Sequence, residues 1–260
     1  MLALARGTRL ATPPKHLPLS RRAFAQTHAR RMPADPAAFV QQGKKIVAIG
    51  RNYAEHIKEL SNDAPKEPMF FLKPTTSYLP AGGNVEIPRG VNTHYEVELG
   101  LVIGKTGRDI PQADADSHIA GYALAVDMTA RNMQEVVKKK GHPWSAAKGF
   151  DTFTPISAYI PKSAVSDPNS LQLTLKVNGV TKQDGNTDQM IFKIPRMIEH
   201  ISSIMTLEAG DLVLTGTPSG VGPVVPGDHV TCTLTDSTGK QLAALEFRAV
   251  QREGGYSFQP

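Results

Sequence analysis

From Gly43 onward the apolar positions come in short runs broken by turn residues, a pattern that predicts many strands and few helices. Residues 45–50 form an apolar run ending on glycine, which predicts a buried strand. In residues 53–60 the apolar Ala54, Ile57 and Leu60 recur every third position and predict a short helix. Residues 68–72 are a further apolar segment, stopped by Lys73-Pro74, and the Pro/Gly-rich residues 80–88 mark a candidate boundary. Residues 95–103 and 121–126 read as strands, the second running straight into Asp127. Thr129 is placed to cap a helix that continues through Met133, Val136 and Val137 and stops at Gly141-His142-Pro143. Further strands are predicted at 154–160, 171–177, 211–215, 229–234 and 242–250. A helix from Pro195 to about Met205 opens with proline in its first turn. With no regular alternation of strand and helix, this is the pattern of an α+β fold with a curled mixed or antiparallel sheet.

Charge changes the picture. The chain of 260 residues carries +5 overall, but Arg6, Arg9, Lys15, Arg21, Arg22, Arg30 and Arg31 all precede the first acid, Asp35. Removing those seven from 29 basic and 24 acidic residues leaves 22 against 24, a body of formal charge −2. A nucleic-acid partner is therefore not indicated, and the basic, acid-free residues 1–34 read as a mitochondrial transit peptide, placing the protein in the matrix. No run of about 18 apolar residues exists, so no membrane-spanning helix is expected. The single cysteine, Cys232, can form neither an internal disulfide nor a cysteine-based zinc site, so any metal should be hard.

Three groups of residues carry candidate chemistry. In His94-Tyr95-Glu96-Val97-Glu98, strand alternation points Glu96 and Glu98 to one face. Taken alone, such a pair is first of all a solvated strand face. Asp127, delivered at the end of an apolar strand, adds a third carboxylate. With no cysteine or zinc-spaced histidine pair, the trio suits Mg²⁺ or Mn²⁺. His56 and Glu59 stand three apart on the short helix, where a carboxylate can orient an imidazole as a base; an exposed helical pair is the plainer reading. Arg131 and Gln134 also stand three apart and could grip an acid, while Lys148 could polarise an oxyanion if it were not a surface lysine. The glycine-rich turn 214–223 offers amides and the Thr217 hydroxyl to a substrate carboxylate. Residues 100–106 miss phosphate-loop spacing by one residue, and neither a G-x-G-x-x-G turn nor a G-x-S-x-G elbow is present.

Six ordered blocks resemble the fumarylacetoacetate hydrolase family: Ile49-Gly50-Arg51-Asn52-Tyr53 through His56 and Glu59, Phe71-Leu72-Lys73-Pro74, residues 94–100, Asp127-Met128-Thr129-Ala130-Arg131, residues 138–144, and Thr215-Gly216-Thr217-Pro218. The likeness spans about residues 43–258 and is greatest to the small mitochondrial branch of acylpyruvases and fungal oxaloacetate tautomerases. It implies a mixed β-roll catalytic domain at 91–260, a small N-terminal region at 35–90 bearing a lid helix, and a homodimer. It also implies Mg²⁺ or Mn²⁺ on Glu96, Glu98 and Asp127, with His56, Glu59 and Lys148 as catalytic groups. Arg51, Arg131, Gln134 and Thr217 would be the substrate contacts. The family's chemistry proceeds through an enolate of a 2-oxo acid. The leading expectation is C–C hydrolysis of acylpyruvates with oxaloacetate decarboxylation as a companion activity. Keto-enol tautomerisation of oxaloacetate is the alternative, and a non-catalytic 2-oxo-acid-binding protein is a remote third.

Overall fold

The structure is a computed structural model that describes residues 38–59 and 65–259; the predicted transit segment lies outside them. An eight-stranded mixed sheet runs in the order β2 (Met69–Lys73), β1 (Ile46–Gly50), β13 (Leu212–Leu214), β6 (Val97–Ile103), β7 (Ile119–Val126), β9 (Thr154–Ile156) and β3 (Tyr78–Pro80), with β10 (Ile160–Pro161) also paired to β7. A five-stranded sheet has the order β12 (Val180–Asn186), β11 (Gln172–Val177), β15 (His229–Thr235), β16 (Gln241–Gln251) and β4 (Asn84–Ile87). A small three-stranded sheet joins β14 (Gly222–Val224), β5 (Thr93–Tyr95) and β8 (Thr129–Ala130). The helices are α1 (Ala38–Gln42), α2 (Ala54–Glu59), α3 (Arg131–Lys139), α4 (Ser145–Lys148) and α5 (Ile194–Ile204). This is the mixed, helix-poor α+β roll expected from the pattern.

The central strands β1, β13, β6 and β7 are buried on both faces and, apart from Glu98 in β6, carry almost only apolar residues and glycine. Val47, Leu99, Leu101 and Leu124 face a core shared with Leu173, Leu175, Val230 and Phe247 of the five-stranded sheet and with Met197 and Ile201 of α5. Ile46, Ala48, Val102, Ala123 and Leu212 face the opposite way, onto Phe39 of α1.

Two expectations are corrected. Residues 80–88 do not set off a separate N-terminal region: β1 lies between β2 and β13, and β4 pairs in parallel with β16. Nor does Thr129 cap α3. It lies in β8, and its hydroxyl donates to Glu96 Oε1 at 3.0 Å, while Ala130 occupies the cap position with no side-chain hydrogen bond.

Candidate active site

The antiparallel pair β6–β7 sets the acidic trio. Val97 stands opposite Val126, and Asp127 N donates to Glu96 O at 2.8 Å, so Asp127 leaves β7 beside the chain carrying Glu96 and Glu98. The chain breaks pairing at Glu96, where it passes from the three-stranded to the eight-stranded sheet. All three carboxylates are buried, and one oxygen from each lies within 4.8 Å of the others.

Such a cluster requires positive charge. Lys148, brought in by α4 and 2% exposed, bridges two of the three, with Nζ 2.9 Å from Glu96 Oε2 and 2.6 Å from Asp127 Oδ2. Its Nζ also stands 4.9 Å from the centre of the Phe71 ring. Lys73, at the end of β2, donates to Asp127 Oδ1 and to Phe153 O at 2.8 Å. Arg131 donates to the other oxygen of Glu96. Burial pushes the Glu96 carboxyl up, but Lys148 and Arg131 outweigh it and hold it well below the usual range. Burial likewise opposes the charge of Lys148, yet Asp127 and Glu96 outweigh it and raise that ammonium. For Lys73 burial prevails over Asp127 and lowers it.

Among the described residues no cationic side chain forms an ion pair with Glu98, although Lys148 acts on it from a distance. Glu98 Oε2 accepts Gly216 N at 2.7 Å, but burial, then Asp127 and Glu96, push it well above the ordinary carboxylate range. The trio therefore still lacks positive charge at Glu98, and its donors are all carboxylate oxygens. That donor set fits a hard divalent cation held by Glu96, Glu98 and Asp127.

The remaining predicted residues gather around the same cavity of about 160 Å³. Its lining includes Arg51, His56, Glu96, Glu98, Asp127, Arg131, Gln134, Lys148 and Thr217, with Phe71 and Trp144 as an apolar wall. The rings of Phe71 and Trp144 stand 5.3 Å apart. His56 Nδ1 is 3.2 Å from Glu59 Oε2, which makes Nδ1 the protonated nitrogen and leaves Nε2 free to exchange a proton. Arg131 Nη1 donates to Gln134 Oε1 at 2.5 Å, presenting the Gln134 amide nitrogen as a donor toward the cavity. Burial and Arg131 lower His94 to about 4, and its neutral Nδ1 accepts from Arg131 Nε at 3.4 Å.

The glycine-rich turn braces two of these carboxylates. Three of its donors bond within the protein: Gly216 N to Glu98, Gly220 N to both oxygens of Glu59 at 3.3 Å, and Thr217 Oγ1 to Val97 O at 2.8 Å. The turn thereby holds Glu98 and Glu59 in place, and Thr217 lines the cavity. Glycine is needed at Gly220, where φ is +93° and a Cβ would lie 2.0 Å from Lys182 O.

Two contributors were not found as such in the sequence. Lys73 stood within a quoted block but had no role assigned. Gln183, 1% exposed on β12, accepts from Val97 N at 2.9 Å and donates to Thr217 Oγ1 at 2.8 Å and Pro218 O at 2.9 Å. It ties the strand between the two glutamates to the loop that holds Glu98 and Glu59.

Residues 45–250 match the family model described as fumarylacetoacetate (FAA) hydrolase C-terminal. The chain belongs to the fumarylacetoacetate hydrolase family. Among its relatives, a mitochondrial oxaloacetate decarboxylase of Dictyostelium discoideum is 57% identical over 199 residues, 76% of this chain and 91% of that one. A mitochondrial oxaloacetate tautomerase of Arabidopsis thaliana is 58% identical over 196 residues, 75% and 88% of the two chains. The fold is shared with fumarylpyruvate hydrolase from Pseudomonas aeruginosa, solved in complex with Mn²⁺ and pyruvate. Identity there is 36% and the TM-score 0.74, over 81% of this chain and 91% of that one. Like other members of the family, this chain is an enzyme, and the family's use of a divalent metal agrees with its acidic trio.

Proposed function

We propose that the enzyme is a mitochondrial oxaloacetate keto-enol tautomerase, with oxaloacetate decarboxylation as the second reading. The observation that carries it is a cavity lined by both the acidic trio and His56, whose Nδ1 stands against Glu59. Relatives above 55% identity that are named for oxaloacetate chemistry support the substrate. C–C hydrolysis of acylpyruvates, which led on sequence alone, rests only on the wider family.

A Mg²⁺ or Mn²⁺ ion held by Glu96, Glu98 and Asp127 would polarise the 2-oxo acid through its carboxylate and keto oxygens. Lys148, fixed beside the trio, stabilises negative charge growing on the keto oxygen as the enolate forms. His56 exchanges a proton with carbon 3 through Nε2 while Glu59 holds the other ring nitrogen and stabilises the imidazolium. Gln134 and Arg131 orient the acid end. Phe71 and Trp144 keep water from one side of the cavity. A homodimer in the matrix, delivered by residues 1–34, belongs to the same reading.

The test is decay of freshly dissolved enol-oxaloacetate with full-length protein and Mg²⁺, followed by ultraviolet absorbance and by pyruvate release. Decay well above the buffer rate without pyruvate is the expected result. Pyruvate appearing in step with decay would make the enzyme a decarboxylase. No acceleration, with acetylpyruvate cleaved instead, would restore the hydrolase.

A further inference from the structure

Arg51 follows the last residue of β1 with φ +58°, a left-handed conformation that glycine or asparagine adopts at far lower cost. The neighbouring Asn52 holds the backbone there. Its buried amide donates to Thr215 O at 2.8 Å and Phe192 O at 3.1 Å and accepts Phe192 N at 2.7 Å. Its carbonyl accepts Ile191 N at 2.8 Å. The fold thus fixes a strained backbone and places on it a long cationic side chain that lines the cavity. Strain of this kind, maintained by the surroundings, points to use of the side chain.

Lys148 and Arg131 pair with Glu96 and Lys73 pairs with Asp127, which keeps these three cations at the trio's end of the cavity, and Lys138 is a further cation of the lining. Arg51 makes no ion pair or side-chain hydrogen bond among the described residues, so its guanidinium is available to an anionic group of a ligand. A 2-oxo acid that meets the trio through its carboxylate and keto oxygens has one further point at which it can carry charge, its far end.

We propose that Arg51 is the specificity residue of the site, receiving the distal carboxylate of a 2-oxo dicarboxylate and so favouring such substrates over 2-oxo acids with a neutral tail. The proposal rests on the reading that 2-oxo acids bind at the trio, and within that reading it predicts that oxaloacetate is preferred to an acylpyruvate. The two differ at one place: where oxaloacetate ends in a carboxylate, acetylpyruvate ends in a methyl ketone of similar length.

The experiment compares KM and kcat for enol decay of oxaloacetate and acetylpyruvate in the wild type, Arg51→Gln, Arg51→Lys and Lys138→Gln, all loaded with Mg²⁺. The glutamine variant keeps a polar side chain and the backbone strain while removing the charge, and thermal melts of each variant show that it is folded. Arg51→Gln should raise KM for oxaloacetate about 10- to 100-fold, the value of a charged hydrogen bond, while changing KM for acetylpyruvate less than about twofold. Arg51→Lys should recover part of the loss. Equal losses on both substrates would place Arg51 on the shared 2-oxo end and overturn the proposal, as would no change on either, or discrimination lost only in Lys138→Gln. If the wild type turns over neither compound, the tautomerase reading falls. The Arg51 proposal is then decided by calorimetric titration of the same proteins with the two compounds, on the same criterion.

Discussion

Lys73 and Asp127 form an ion pair sealed from solvent, across 54 residues of sequence. Lys73 Nζ holds Oδ1, so Asp127 presents Oδ2 toward Lys148 and the cavity. Lys73→Met keeps the volume but removes the charge, leaving Phe153 O with only the Met128 N donor. The expected cost is about 3–5 kcal/mol, that of breaking a buried pair. Urea denaturation at pH 7 measures it, and unchanged stability would show that Lys148 alone suffices for Asp127.

Metal binding and proton transfer should separate by mutation. Asp127→Ala removes a carboxylate from the trio and should abolish both the stabilisation of the fold by Mg²⁺ and turnover. His56→Ala should leave metal affinity within about twofold while lowering kcat by about 10²–10⁴, the usual worth of a positioned base. Thermal melts across a Mg²⁺ titration read the first property, since saturation to 100 times Kd adds about 2.7 kcal/mol. Equal loss of metal response in both variants would contradict the division of roles.

Gln183→Leu should act at a distance from the substrate. It leaves the buried Val97 N unpaired and releases the loop at Thr217 and Pro218. One such orphaned group costs about 1–3 kcal/mol. Weaker Mg²⁺ binding and lower kcat together are expected, because Glu98 and Glu59 both depend on that loop. Loss of stability with metal affinity and kcat intact would reduce Gln183 to an ordinary core contact.

Stability should also fall in alkali. Burial pushes the Cys232 thiol well above its ordinary 9.0, and burial raises the Tyr53 and Tyr78 phenols in the same direction. The unfolded chain releases these protons first, so their contribution is complete below about pH 9 and is lost as the pH rises beyond it, at about 1.4 kcal/mol per pH unit for each group. Cys232→Val removes the earliest of the three. Denaturation midpoints at pH 8, 9 and 10 should decline less steeply in the variant, and parallel declines would count against the thiol.

The acidic trio and the base pair were legible because each follows a local period: Glu96 and Glu98 share a strand face, and His56 and Glu59 share a helix face. Lys73 and Lys148 carry no such mark. Their burial depends on Asp127 and Glu96 arriving from other strands, and in the sequence Lys148 reads as a surface residue. Gln183 was hidden for a different reason. β12 exposes most of its residues, so residues 180–186 lack the alternation by which a strand is recognised. The turn at 215–220 was recognised for its glycines, but only the fold shows that the Gly216 and Gly220 amides hold Glu98 and Glu59.

That shared loop has an evolutionary consequence. Gly216 and Gly220 are four residues apart, so the spacing between a ligand of the trio and the proton-transfer pair is set by one short stretch of backbone. The walls that meet the rest of a substrate, Arg51, Phe71 and Trp144, belong to other segments. Those walls can change while Gly216 and Gly220 keep Glu98 and Glu59 at a fixed distance, so the acid that fits the cavity can vary without disturbing that spacing.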